Sequence, residues 1–79
     1  MARFPVDAQK QKVIRALEAL GFRVVREREH ISMLRTNADG STTPLTMPNH
    51  PRLKASTLRT ICTQASIPRD QFLEAYDNS

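Results

Sequence analysis

The sequence holds one cysteine, two glycines and no tryptophan among its 79 residues. Each scarcity removes a class of function. A lone Cys62 cannot close an internal disulfide, and it has no partner at metal-ligand spacing. It reads as a small buried apolar group in a reducing compartment. Gly21 and Gly40 are too few and too far apart for a phosphate loop or a dinucleotide fingerprint. The two histidines, His30 and His50, form no HExxH motif and no zinc cluster. No serine stands in a strand–turn–helix elbow. The aromatics Phe4, Phe22, Phe72 and Tyr76 do not interleave with basic residues as an RNA-stacking platform would, so they read as core or docking residues. No apolar run approaches the ~20 residues that span a bilayer. The opening residues Met1-Ala2-Arg3-Phe4-Pro5 lack the apolar stretch of a signal peptide. The expectation is a soluble, cytoplasmic chain with no membrane segment, no metal and no organic cofactor.

What is present is a length suited to one domain, 1–79. So small a domain buries only about 60% of its unfolded surface, so any site should be shallow. Twelve lysines and arginines against eight acids give a formal charge of +4. That balance suits a polyanion such as nucleic acid, and it equally suits solubility alone.

From about Asp7 to Leu20 the apolar residues Val13, Leu17 and Leu20 recur at helical spacing, with Ile14 and Ala16 beside them. Asp7 offers an N-cap, and Gly21 a left-handed exit after which Phe22 can fold back on Leu17. The period then changes to two. Residues 22–26 are β-prone, Ile31 and Met33 alternate with His30 and Ser32, and Thr43, Leu45 and Met47 alternate with Pro44 and Thr46. Asn37-Ala38-Asp39-Gly40 is a turn by composition. Pro44 places the third strand at an edge or a bulge. From about Ser56, Leu58, Ile61, Cys62 and Ala65 form one helical stripe. Pro68 ends it, and a short C-terminal helix from Pro68 or Arg69 to Tyr76 follows, docked by Phe72, Leu73 and Tyr76. The fold class is α+β. Its α-β-β-β-α order, with both helices on one face of a three-stranded antiparallel sheet, is the layout of double-stranded RNA-binding domains.

If Ile31 and Met33 face the core, His30 faces solvent on the bare side of the sheet. Imidazole titrates near neutral pH and can take or give a proton there. Arg23, Arg26, Arg28 and Arg35 surround it in sequence and can hold phosphates. The same residues also describe an ordinary surface histidine in an arginine-rich hairpin. His50, between two prolines, reads as a loop histidine whose ring shapes the turn. Arg52, Lys54 and Arg59 bracket the start of the second helix, where lysines, arginines and free amides suit a phosphate or simply face water. Glu27 and Glu29 temper the positive field near His30.

Taken together these residues resemble the HicA family of toxins from toxin–antitoxin pairs, from about Val13 to Leu73. The similarity lies in the first helix with its Gly21-Phe22 exit, in His30 opening the second strand, in Pro48-Asn49-His50, and in Thr57-Leu58-Arg59-Thr60-Ile61. The resemblance implies a metal-independent endoribonuclease that cleaves mRNA with a single histidine, here His30. The RNA contacts expected beside it, read from charge and position, are Arg23, Arg26, Arg28, Arg35, Lys54 and Arg59. The resemblance also implies a HicB-type antitoxin protein covering the sheet. A non-catalytic RNA-binding module and a domain that only binds an antitoxin are the alternatives. Where the family usually reads Gly-Ser before the histidine, this chain has Arg28-Glu29, and Ala55 and Ser66 stand in place of family glycines. A positive φ at position 28 would cost about 1 kcal/mol.

Overall fold

The first helix starts later than its capping signal suggests. In the computed structural model, which describes residues 3–79, Ala8 and Gln9 form a two-residue strand, β1 (Ala8–Gln9). It pairs antiparallel with β5 (Arg52–Leu53). Holding residues 8 and 9 extended delays the first helical turn. Gln9, not Asp7, is therefore the N-cap, and α1 runs Lys10–Ala19. Met1 and Ala2, part of the stretch read for a signal peptide, lie outside the described residues. The helical stripe is as expected: Val13, Ile14, Ala16 and Leu17 are buried. Gly21 ends the helix at φ 99°, and its amide donates to the Glu18 carbonyl at 3.0 Å.

Three strands follow, β2 (Phe22–Glu27), β3 (His30–Thr36) and β4 (Thr42–Pro48), antiparallel in the order β2-β3-β4. Ile31, Met33, Leu45 and Met47 are buried against α1 and against α2 (Ala55–Ala65), while residues of the opposite parity face away from the helices. Pro44 lies in the edge strand, as its missing amide requires. The edge is blunted in detail. Thr46 turns its backbone outward, donating to Gln64 Oε1 at 3.2 Å and accepting from Gln64 Nε2 at 3.0 Å. Pro44 and Pro48 share that outward parity, so their absent amides leave few donors for a foreign strand.

The end of α2 carries the two bonds of a Schellman turn. Ile67 donates to the Cys62 carbonyl at 2.9 Å and Ser66 to the Thr63 carbonyl at 3.4 Å, with Ser66 left-handed at φ 54°. It is the sole non-glycine at positive φ among the described residues. The buried Ile67 then turns the chain into α3 (Arg69–Asp77). Phe72 of α3 is fully buried, 6.0 Å from the rings of both Phe4 and Tyr76. The result is an α+β fold with three helices on one side of the three-stranded sheet, arranged as in double-stranded RNA-binding domains. Among the described residues, no helix is long and apolar enough to cross a membrane.

Candidate active site

His30 is the first residue of β3 and pairs with Pro48 of β4. Because Ile31 and Met33 are drawn into the core, His30 and Ser32 stand on the uncovered face, and the imidazole is exposed. A shallow hollow beside it is lined by Arg26, Arg28, Glu29, His30 and Ser32.

Arg26 reaches this hollow through a bulge. Val24 pairs with Met33, but Arg26 pairs with Ser32, leaving Val25 without a partner. In a regular strand, period two would put Arg23 and Arg26 on opposite faces. The extra residue returns Arg26 to the face that carries His30, and Val25 is left 49% exposed.

The turn between β2 and β3 is held from outside. The Arg28 amide donates to the His30 carbonyl at 3.1 Å. Asn49, just past β4, grips the same turn twice: its side-chain Nδ2 donates to the Arg28 carbonyl at 2.7 Å, and its backbone amide donates to the Glu29 carbonyl at 3.2 Å. Its Oδ1 accepts from Lys10 Nζ at 2.7 Å, tying the turn to the start of α1. Arg28 has no positive φ, so the penalty anticipated for replacing glycine does not arise. In Pro48-Asn49-His50 the histidine is the residue that the sequence makes conspicuous. The hydrogen bonds that shape this turn come instead from Asn49, and His50 is exposed. The one signal available was an asparagine at a strand end, a residue whose amide bonds backbone readily.

The other expected RNA contacts are dispersed. Arg23 is on the open face but toward the far end of the sheet, where its Nη1 donates to Thr36 Oγ1 at 3.3 Å. Arg35 is on the helix side. Its guanidinium lies 4.8 Å from the centre of the Phe22 ring, and its Nε donates to Asn37 Oδ1 at 3.0 Å. That is a structural role, and it separates Arg35 from His30. Lys54 is the exposed N-cap of α2, and Arg59 lies one turn further along, beside Phe4 and Arg69. The structure thus gathers Arg26 and Arg28 with His30, and leaves Arg23, Arg35, Lys54 and Arg59 elsewhere.

Two other titratable groups belong to the scaffold. Burial pushes the Cys62 thiol up to about 11. Hydrogen bonds from the Ser41 hydroxyl and amide hold the Asp39 carboxylate below its ordinary range in the β3–β4 turn. Among the described residues, no group of three or more His, Cys, Asp or Glu is placed to hold a metal ion.

Comparison with known proteins supplies the family. No curated protein and no solved structure matches the chain. The family described as "HicA toxin of bacterial toxin-antitoxin" matches residues 11–67, from the first turn of α1 to the Schellman turn after α2, and so takes in the whole sheet and the His30 hollow. The chain belongs to the HicA family of toxins from bacterial toxin–antitoxin systems.

Proposed function

We propose that this protein is the toxin of a toxin–antitoxin pair and acts as a metal-independent endoribonuclease on mRNA, with His30 as its one catalytic side chain. The observation that carries this reading is the exposed His30 on the uncovered sheet face, in a hollow shared with Arg26, Arg28 and Ser32. The RNA brings its own nucleophile. The 2′-oxygen attacks the adjacent phosphorus, the bond from phosphorus to the 5′-oxygen breaks, and a 2′,3′-cyclic phosphate forms. The proton lost by the 2′-hydroxyl is gained by the departing 5′-oxygen, and an imidazole can take the first and deliver the second in turn. Arg26 and Arg28 offset the charge that gathers on the phosphate oxygens. Glu29, which lines the same hollow, sets a negative charge against the approach of RNA.

The uncovered face is also where an antitoxin would act. A HicB-type protein packed over His30, Ser32, Thr42 and Thr46 would exclude RNA without altering the fold. The test of the chemistry is product analysis. RNA cut in EDTA should carry 2′,3′-cyclic phosphate and 5′-hydroxyl ends, and a 2′-deoxy substitution at the cut position should abolish cleavage there. Products with 5′-phosphate ends, or a strict need for Mg²⁺, would overturn the mechanism. Binding of RNA with no cleavage would point instead to a module that keeps the fold and the affinity alone.

A further inference from the structure

A second basic hollow lies away from His30, and most of it is built from residues outside the family match. It has a volume of about 520 Å³ and is lined by Arg3, Phe4, Val6, Ala55, Arg59 and Arg69. Three of these six are arginines and none is acidic. Asp70, in the first turn of α3, is exposed and does not line it. The arginines come from three separate places: the N-terminal arm, the second turn of α2 and the first residue of α3. The arm is pinned, because Phe4 packs on Phe72 at 6.0 Å and Ala8 is buried in the pairing with Leu53. Arg3 is therefore held over the two helices.

The backbone adds to this charge. Ala55 and Arg69 are the first residues of α2 and α3, so two helix N-termini open on one hollow. Neither helix is capped by a side chain: the N-cap residues are Lys54 and Pro68, and neither can accept a bond from the first-turn amides. The first intrahelical bonds are Leu58 to Lys54 and Phe72 to Pro68. Among the described residues, no group accepts from the amides of the opening turns before them, which leaves them to an outside acceptor. Uncapped amides, two dipoles of the same sign and three guanidiniums together describe a site for an oxyanion, and guanidinium favours the planar pairing that phosphate offers.

We infer that the Arg3–Arg59–Arg69 hollow binds a phosphate group, and that in function this is a backbone phosphate of the RNA held at a distance from the one being cut. The first half stands on the hollow alone; the second rests on the ribonuclease reading above. Such a site makes the N-terminal arm and α3 part of the substrate surface, and it fixes where the RNA runs once it leaves His30.

The experiment has two arms. Inorganic phosphate titrated into the folded, isotope-labelled protein should give saturable amide shifts at Ala55, Ser56, Arg69 and Asp70. A double variant, Arg59→Gln with Arg69→Gln, should lose them while keeping its melting temperature, since both side chains are exposed. Shifts that are absent, or that persist in the double variant, would overturn the phosphate site. The second arm uses 2′-O-methyl RNA, which cannot be cut. The double variant should bind it more weakly, with the salt slope of log K reduced by about 0.7 for each phosphate that is no longer neutralised. Unchanged affinity and slope beside a positive phosphate titration would overturn the assignment to RNA and leave an anion site of another kind. If the wild type does not bind RNA at all, the ribonuclease reading falls, and the phosphate arm still decides the hollow by itself.

Discussion

Asn49 shows how one side chain sets the geometry of a neighbour it does not touch. It donates to the Arg28 carbonyl and accepts from Lys10, so it fixes the turn from which His30 projects. Asn49→Ala should leave the fold in place, because the core is not involved and each missing hydrogen bond is worth only about 1 kcal/mol. Cleavage should fall by up to about 100-fold, mainly in kcat, as expected when a reacting group is misplaced by an ångström. Asn49→Asp should not rescue it, since a carboxylate has no N–H for the Arg28 carbonyl. Steady-state kinetics of the two variants checks this, and a loss confined to KM would contradict a positioning role. Cys62 gives a second residue-scale prediction. Its thiol is buried and raised to about 11, so at pH 8 almost none of it is thiolate. Iodoacetamide should modify it at that pH far more slowly in the folded protein than in urea, as mass spectrometry can follow. Equal rates would place the thiol at the surface.

At the scale of elements, the corner between α2 and α3 holds a removable strain. Ser66 is left-handed, where a side chain costs about 1–2 kcal/mol and glycine costs nothing of that kind. Glycine gives back part of the gain by loosening the unfolded chain. Ser66→Gly should therefore stabilise the protein by about 1 kcal/mol, seen as a rise of roughly 4–8 °C in Tm. Thermal unfolding that shows no rise would mean that the corner relaxes in solution. The sequence hinted at this corner, because a helix ending just before Ile67-Pro68 calls for such a residue. Periodicity likewise made the helical stripes, the alternation in β3 and β4, and the exposure of His30 legible in advance. The rest depended on partners distant in sequence. The β1–β5 pair is two residues long, too short for any period to register, and it displaced the start of α1. The bulge at Val25 shows only when Arg26 is seen opposite Ser32. Arg35 shares the parity of Ile31 and Met33, so period two alone puts it on the helix side; what the sequence leaves out is its partner there, the Phe22 ring of the neighbouring strand.

For the whole molecule, the parts beyond the family match are structural as well as electrostatic. Phe72 lies outside residues 11–67, yet it is fully buried between Phe4 and Tyr76. Phe72→Ala should cost about 3–5 kcal/mol. That approaches the entire stability of a small domain, so the variant should be largely unfolded near 37 °C by circular dichroism. A well-folded variant would show that α3 is dispensable. The proposed chemistry belongs to the open sheet face at His30, while the helical layer supplies the core and, at the Arg3–Arg59–Arg69 hollow, the proposed second phosphate contact. Its most direct test is RNA cleavage in EDTA by wild type and by His30→Ala, each purified free of contaminating nuclease and each shown to be folded. The account predicts that wild type cuts and the folded variant does not. Equal cutting by both would contradict it, because a catalyst other than His30 would then be responsible for the chemistry.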